Sequence, residues 1–233
     1  MKLALVTGGH RRLGAITSAR LAADGWTLAL HGAHDAKPEP TLADVLGDWH
    51  GFVVDLSDAA AVAGLLPRVC DHFGAVPSLL VNNASMFAGD DVDHHAVNAA
   101  APVTLALAMA DAGASGSIVN ILDQRIRNPN KDQLRYTLSK TALAGATRTL
   151  AVALAPDLRV NAVAPGLTMP TPEYSADQVE RVATAMPLGI LPRPEDVAEA
   201  VVYLANAQAV TGQTLFVDGG ASLKSFDRDF LYL

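Results

Sequence analysis

Tyr136 and Lys140 are four residues apart in the stretch Tyr-Thr-Leu-Ser-Lys. If Tyr136 opens a helix, both side chains share one face, one turn apart. An ammonium beside a phenol favours the phenolate and lowers the phenol's pKa from about 10 toward neutrality. Such a phenol can give or take a proton at physiological pH. Spacing alone does not separate this pair from an ordinary surface helix. Other groups that bear chemistry cluster at the ends of short apolar runs. Asp123 ends the run from Gly116 to Leu122, and Asn82-Asn83-Ala84-Ser85-Met86-Phe87 follows Ser78 to Val81. Asp55 follows Gly51 to Val54, and Thr7-Gly8-Gly9-His10-Arg11-Arg12-Leu13-Gly14 follows Leu3 to Val6. In open α/β sheets, ligands bind at the carboxyl ends of strands.

The first of these loops lies between a strand and a helix that runs to about Asp24, closed by Gly25. Glycines let the backbone approach a pyrophosphate, and the helix N-terminus offers it free N–H groups. Gly8 and Gly14 are six apart, which departs from Gly-x-Gly-x-x-Gly, and a tight strand-to-helix turn would also use glycines. His31 ends the second strand where an acidic residue would serve an NAD ribose, and Arg11 and Arg12 could bind a 2′-phosphate. Together these favour NADP over NAD, with Asp35 as an opposing signal. Asp55 could accept from an adenine amino group or cap the next helix, although Ser57 or Asp58 suits capping better. Phe87 could cover a planar ligand or anchor a loop. Asn98, inside a mostly apolar helix, reads as a hydrogen-bonded core residue, with Pro102 predicting a kink. His94 and His95, at the end of a polar stretch from Gly89, lack metal-site spacing and read as solvated; no metal is expected.

The elements that must position these groups alternate along all 233 residues. Seven strands are predicted, the remaining three at Trp26 to Leu30, Leu158 to Val163 and Thr214 to Val217. Helices are predicted near Thr41 to Leu46, from Ser57 to Phe73, over Val97 to Asp111, from Tyr136 to about Ala155 and over Pro194 to Asn206. Half the residues are hydrophobic and few are aromatic, as suits helices on both faces of a buried parallel sheet. Residues 168–191, Pro-rich with a short helix near Ser175 to Thr184, form a candidate substrate lid. The apolar tail, 221–233, is expected to pack on its own subunit or a neighbour. No linker divides the chain, so one domain over 1–233 is expected. A formal charge of −7 argues against a nucleic-acid or anionic-membrane partner. With Cys70 the sole cysteine and no membrane-length apolar run, a cytoplasmic protein is expected.

Taken together, these motifs resemble the short-chain dehydrogenase/reductase family along essentially the whole chain. The match rests on Thr7-Gly8…Gly14, Asp55, Asn82-Asn83-Ala84, Asn98 with Tyr136…Lys140, and Pro165-Gly166, in the family's order. The resemblance implies a Rossmann-like, doubly wound, seven-stranded parallel sheet with helices on both faces. It implies Tyr136 as general acid/base, Lys140 as its modulator and ribose ligand, and Asn98 as holder of a relay water. The implied cofactor residues are Gly8, Arg11, Arg12, Leu13, Gly14, His31, Asp55, Asn83, Ala84, Ser85, Tyr136, Lys140, Pro165 and Gly166. One position departs from the common pattern: Asp123 stands thirteen residues before Tyr136, where serine is usual, and Ser117 lies too far upstream to replace it.

That departure is similar to the pteridine reductase branch, which also carries Arg12-Leu13-Gly14, Asn82 to Phe87, His31, Asn98 with Pro102, and Pro165-Gly166-Leu167. By this resemblance Phe87 stacks on a pterin, Arg12 and Ser85 reach its edge or the cofactor, and Asp123 and Tyr136 supply protons. A flat, amide-bearing heterocycle wants an aromatic face, bidentate donors and an acid. The expected activity is NADPH-dependent reduction of a pterin, dihydropterin to tetrahydropterin, by a homotetramer. The rivals are a general carbonyl or alcohol reductase, for example of a 3-oxoacyl thioester, and a non-catalytic nucleotide-binding protein. Ala33, His34 and Asp35 replace the basic residue often found after His31 in that branch, and the lid differs from the branch's.

Overall fold

A computed structural model describes residues 1–87 and 94–233. Strand and helix alternate from β1 (Leu3–Thr7), α1 (Arg12–Ala23), β2 (Thr27–Gly32), α2 (Pro40–Leu46) and β3 (Trp49–Val53) to α3 (Ala59–Ala63) and α4 (Leu65–Phe73). They continue through β4 (Leu79–Asn82), α5 (Ala101–Asp111), β5 (Gly116–Ile121), α6 (Leu134–Ala153), β6 (Leu158–Pro165), α7 (Ala176–Ala185), α8 (Pro194–Asn206) and β7 (Thr214–Val217). The strands form one parallel sheet in the order β3-β2-β1-β4-β5-β6-β7, the Rossmann-like architecture read from the sequence.

Alternation along each strand sends side chains to opposite faces. Leu3, Leu5, Leu80, Ile118 and Val160 meet Leu65, Val69, Leu105, Met109 and Leu150 on one face. Ala4, Val6, Leu28, Val81, Val119 and Val163 meet Leu21, Val197, Val201 and Leu204 on the other. Each large apolar side chain so buried contributes about 1.5–3 kcal/mol, and burial on both faces is why the strands read as continuous apolar runs.

One local feature differs from expectation. The helix read from Ser57 to Phe73 divides at Gly64, and Asp58 caps its first part by accepting from the N–H groups of Ala60 and Ala61. Pro102 follows closely on a π-helical turn over Ala96–Ala100, inside a helical run that continues to Asp111; a proline's missing N–H breaks the regular ladder at such a place. The polar stretch read from Gly89 lies outside the described residues as far as residue 93. No helix among the described residues is long and apolar enough to cross a membrane.

The strand order reverses between β1 and β4. The loops after these strands therefore flank a crevice at the carboxyl edge. Asp123 follows the neighbouring strand β5, and Pro165 ends β6 with Gly166 after it, at the same edge.

Candidate active site

Residues 123–133 carry the chain from β5 to α6. Asp123 caps a 3-10 turn there, its Oδ1 accepting from the Arg125 N–H at 2.9 Å. Helix α6 begins at Leu134 and turns Tyr136, Ser139 and Lys140 inward, all buried. Tyr136 Oη donates to Asp123 Oδ2 at 3.1 Å. Lys140 Nζ donates to the Ile121 carbonyl at 2.8 Å and lies 5.8 Å from the Tyr136 ring centre.

This geometry corrects the expected lowering of the phenol's pKa. Burial, then the charge of Asp123, push Tyr136 well above the ordinary tyrosine value; Arg125 and a hydrogen bond with Ser85 oppose them. Burial lowers Lys140 to about 8, against the pull of Asp123. At neutral pH the phenol is therefore protonated and the ammonium charged. Such a site is poised to donate a proton.

Asn98, in the π-helical turn, has both ends of its amide engaged. Its Oδ1 accepts from the Met86 N–H at 2.8 Å and from Ser85 Oγ at 3.2 Å. Its Nδ2 donates to the Met86 carbonyl at 2.9 Å and to Ser139 Oγ at 3.0 Å. Asn98 thus fastens the loop after β4 to α6, a hydrogen-bonded core role; π-turns often mark functional sites. That loop carries Phe87, whose ring meets the Tyr136 ring edge-on at 4.9 Å while 40 % of the residue stays exposed.

Across the crevice, Gly8 has a φ of 62° and Arg12 a φ of 50°, the left-handed region that a non-glycine residue seldom occupies. A Cβ on Gly14 would collide with the Gly8 carbonyl and the Asn83 side chain. Asn83 Nδ2 donates to the carbonyls of Thr7 at 2.9 Å and Gly8 at 3.3 Å. Thr7 Oγ1 accepts from the N–H groups of Asn83 and Ala84. Arg11, at the N-cap of α1, makes no side-chain capping bond, so the first-turn N–H groups remain for an anion. Arg11 and Arg12 are exposed. The glycine cradle, uncapped helix and exposed guanidinium groups fit a dinucleotide phosphate. Leu13 packs partly against the core under this loop.

His31 is placed otherwise than its cofactor reading requires. It is buried; Nδ1 accepts from the Gly8 N–H at 3.2 Å, and Nε2 is 2.8 Å from the Val54 carbonyl. Burial lowers its pKa, as befits a neutral ring. Both nitrogens are committed, so any effect on a cofactor runs through the loop it holds. Asp55 is exposed, with Oδ1 accepting from the Ser57 N–H and Oγ. Gly166 donates its N–H to the Val217 carbonyl, and a Cβ there would approach Asp218 Cα at 2.9 Å. Ser117 is buried on β5 and bonded to the Leu204 carbonyl, away from the site. Among the described residues, no cluster of His, Cys, Asp or Glu is placed to hold a metal ion.

Around Tyr136 one residue was misread and Arg125, Asp229 and Tyr174 went unread. His94, taken as solvated, is buried with its ring 6.5 Å from that of Tyr136; His95 is exposed. Arg125 lies beside the edge-on pair of Phe87 and Tyr136, its Cζ 5.3 and 5.4 Å from their ring centres. Asp229, from the tail, pairs with Arg125 at 2.6 Å. Tyr174 is pushed up to about 12, by burial first and then by Asp229. The tail packs on its own chain: Phe230 is buried in a cluster with Val182 of α7 and Met186 just after it.

The sheet, glycine loop and buried tyrosine–lysine pair define an oxidoreductase class. Residues 9–222 match the family model described as enoyl-(acyl carrier protein) reductase, and the chain belongs to the short-chain dehydrogenase/reductase family. The protein assigned as ketoacyl reductase 2 of the granaticin polyketide synthase in Streptomyces violaceoruber is 34 % identical, over 95 % of this chain and 96 % of that protein. The human (3R)-3-hydroxyacyl-CoA dehydrogenase is 32 % identical, over 94 % of each chain. Among solved structures, FolM alternative dihydrofolate reductase 1 from Brucella canis, complexed with NADP, superposes with a TM-score of 0.83. It is 37 % identical, over 95 % of this chain and 94 % of that one.

Proposed function

We propose that this protein is an NADPH-dependent pterin reductase that converts a dihydropterin to its tetrahydro form. The observation that carries this reading is the bond from Tyr136 Oη to Asp123 Oδ2, beside the ring of Phe87. A carboxylate accepts from ring and amino N–H groups that a serine hydroxyl holds less well. The likeness to the Brucella canis dihydrofolate reductase with its NADP supports the same substrate class and cofactor.

Bound NADPH supplies the hydride. Arg11, Arg12, Gly8 and the first turn of α1 hold its phosphates. Phe87 offers an aromatic face to the substrate, Asp123 orients its N–H edge, and Ser85 lies at the rim. Tyr136 gives its phenolic proton to the nitrogen beside the reduced carbon, and Lys140 holds positive charge beneath the phenol. Leu134, Leu138 and Val152 share one exposed face of α6, an apolar surface that supports self-association, and we read the assembly as a homotetramer.

A second reading, reduction of a 3-oxoacyl thioester or another ketone, is favoured by the relatives from Streptomyces and human. The deciding experiment follows NADPH oxidation with dihydrobiopterin, dihydromonapterin and a 3-oxoacyl thioester. Turnover of a dihydropterin supports the pterin reading; turnover of the thioester alone sinks it.

A further inference from the structure

The roles assigned above leave Arg125 unused, yet its placement is demanding. Its side chain is 8 % exposed, and the guanidinium is always charged. Burying such a charge is unfavourable without close partners. Asp229 Oδ2 lies 2.6 Å from Nη2, and Asp123 Oδ1 lies 3.5 Å from Nε. Nε and Nη1 nevertheless have no aligned acceptor. The guanidinium gives up hydrogen bonds for a position beside two aromatic rings and two carboxylates, where its charge matters more than its donors.

The seat is built by the tail. Asp132 Oδ2 accepts from the Asp229 N–H and from Arg228 Nε, each at 2.8 Å. Asn128 Nδ2 donates to the Ser222 carbonyl at 2.7 Å. Gln178 of α7 donates to the carbonyls of Phe230 and Leu231. Loop, lid helix and tail are thereby fixed to one another around Asp229.

We propose that Arg125, seated by Asp229, is a positioning residue for proton transfer from Tyr136, and that the tail is a working part of the site. This rests on the reading of Tyr136 as the general acid. When the Tyr136 O–H bond breaks, its proton passes to the substrate atom beside the hydride acceptor, and solvent later restores it. The phenolate left behind faces Asp123, 3.1 Å away, and the two negative charges repel. Lys140 is bonded to the Ile121 carbonyl. Arg125 is the cation on the Asp123 side and offsets that repulsion. The other groups facing the phenol are Ser85, His94 and Phe87; Tyr174 and Asp229 act on Arg125 itself.

The test uses the whole protein and whichever substrate it reduces. Arg125→Met should lower kcat about 100-fold or more, enlarge the solvent deuterium isotope effect, and leave NADPH binding unchanged. Arg125→Lys, which keeps the charge, should recover to within about tenfold. Asp229→Asn should shift kcat and isotope effect in the same direction, less far. A second readout needs no turnover: with carbon-13 at tyrosine Cζ, Tyr136 should begin to ionise at higher pH in Arg125→Met than in the wild type. The resonance is assigned by its loss in Tyr136→Phe. Unchanged kcat and isotope effect in folded Arg125→Met, or ionisation of Tyr136 at an unchanged pH, would overturn the proposal. Turnover of ketones but not dihydropterins, with these shifts present, overturns the pterin reading alone.

Discussion

The phenol of Tyr136 gives its hydrogen bond to Asp123, at 3.1 Å, and makes none with Lys140. The tyrosine–lysine spacing suggests a phenol tuned downward by a neighbouring ammonium. In the folded protein burial and the carboxylate dominate, and the phenol is held in its acid form. A protonated phenol suits reduction, in which the site must give a proton as the hydride arrives.

Tyr136→Phe removes the donor and keeps the ring against Phe87. Turnover should fall about 100- to 10,000-fold, with NADPH affinity, followed by fluorescence titration, within about threefold of the wild type. Undiminished turnover would place the acid elsewhere.

Asp123→Ser separates the two substrate readings. With a dihydropterin, kcat/KM should fall at least about 100-fold, since a charged acceptor for the ring N–H edge is lost. With a ketone substrate it should hold or rise. A parallel loss on both would count against a pterin-specific role for Asp123.

Lys140 makes a prediction about stability and pH. Its folded pKa is lowered to about 8, below the ~10.4 of an unfolded lysine. Below pH 8 both states are protonated and the full cost of burying the charge is present. Between about 8 and 10.4 the unfolded state holds more protons, so stability rises with pH by up to about 3 kcal/mol. Lys140→Met should therefore be the more stable protein near neutrality, less about 1 kcal/mol for the lost bond to Ile121. Its advantage should shrink as pH rises through that window. Denaturant unfolding of both proteins at several pH values measures this; a constant difference would refute it.

Gly14→Ala should abolish NADPH binding, because the new methyl meets the Gly8 carbonyl and the Asn83 amide. The first loop must then open, and the phosphate cradle with it. Calorimetric titration with NADPH, alongside circular dichroism to show retained fold, checks this. Affinity within about threefold of wild type would show that the loop adapts.

Leu138→Asp tests the exposed face of α6, where Leu138 is 59 % exposed. Sedimentation should show the homotetramer reduced to smaller species. A wild-type monomer would refute that assembly.

The strands were legible because a parallel sheet buried on both faces leaves short apolar runs punctuated by turn residues. Boundaries moved where pairing decided them: β3 starts at Trp49 because Trp49 pairs with Leu28, although Gly51 looked like the start. Tyr136, Lys140, Asp123 and Asn98 were legible because their strand-end or helical settings are local. Arg125 and Asp229 were not, since the contact between them joins the β5–α6 loop to the tail and depends on tertiary folding alone. An arginine inside a strand-to-helix loop offers no periodicity or motif. His94 was misread because it adjoins an acidic stretch, and local polarity does not reveal that its ring turns inward. Similarly, His31 looked like a cofactor contact by position, but its two ring nitrogens were already engaged by Gly8 and Val54.

The bonds of Asn98 have a mechanical consequence. One amide links Met86, next to the aromatic face of Phe87, and Ser139, one turn from Tyr136. Ser139 Oγ in turn donates to the Tyr136 carbonyl at 2.7 Å. The wall that receives a flat ring and the group that protonates it are thus mounted on one bracket. So long as those bonds hold, the ring's wall and its proton donor keep their spacing when a guest enters.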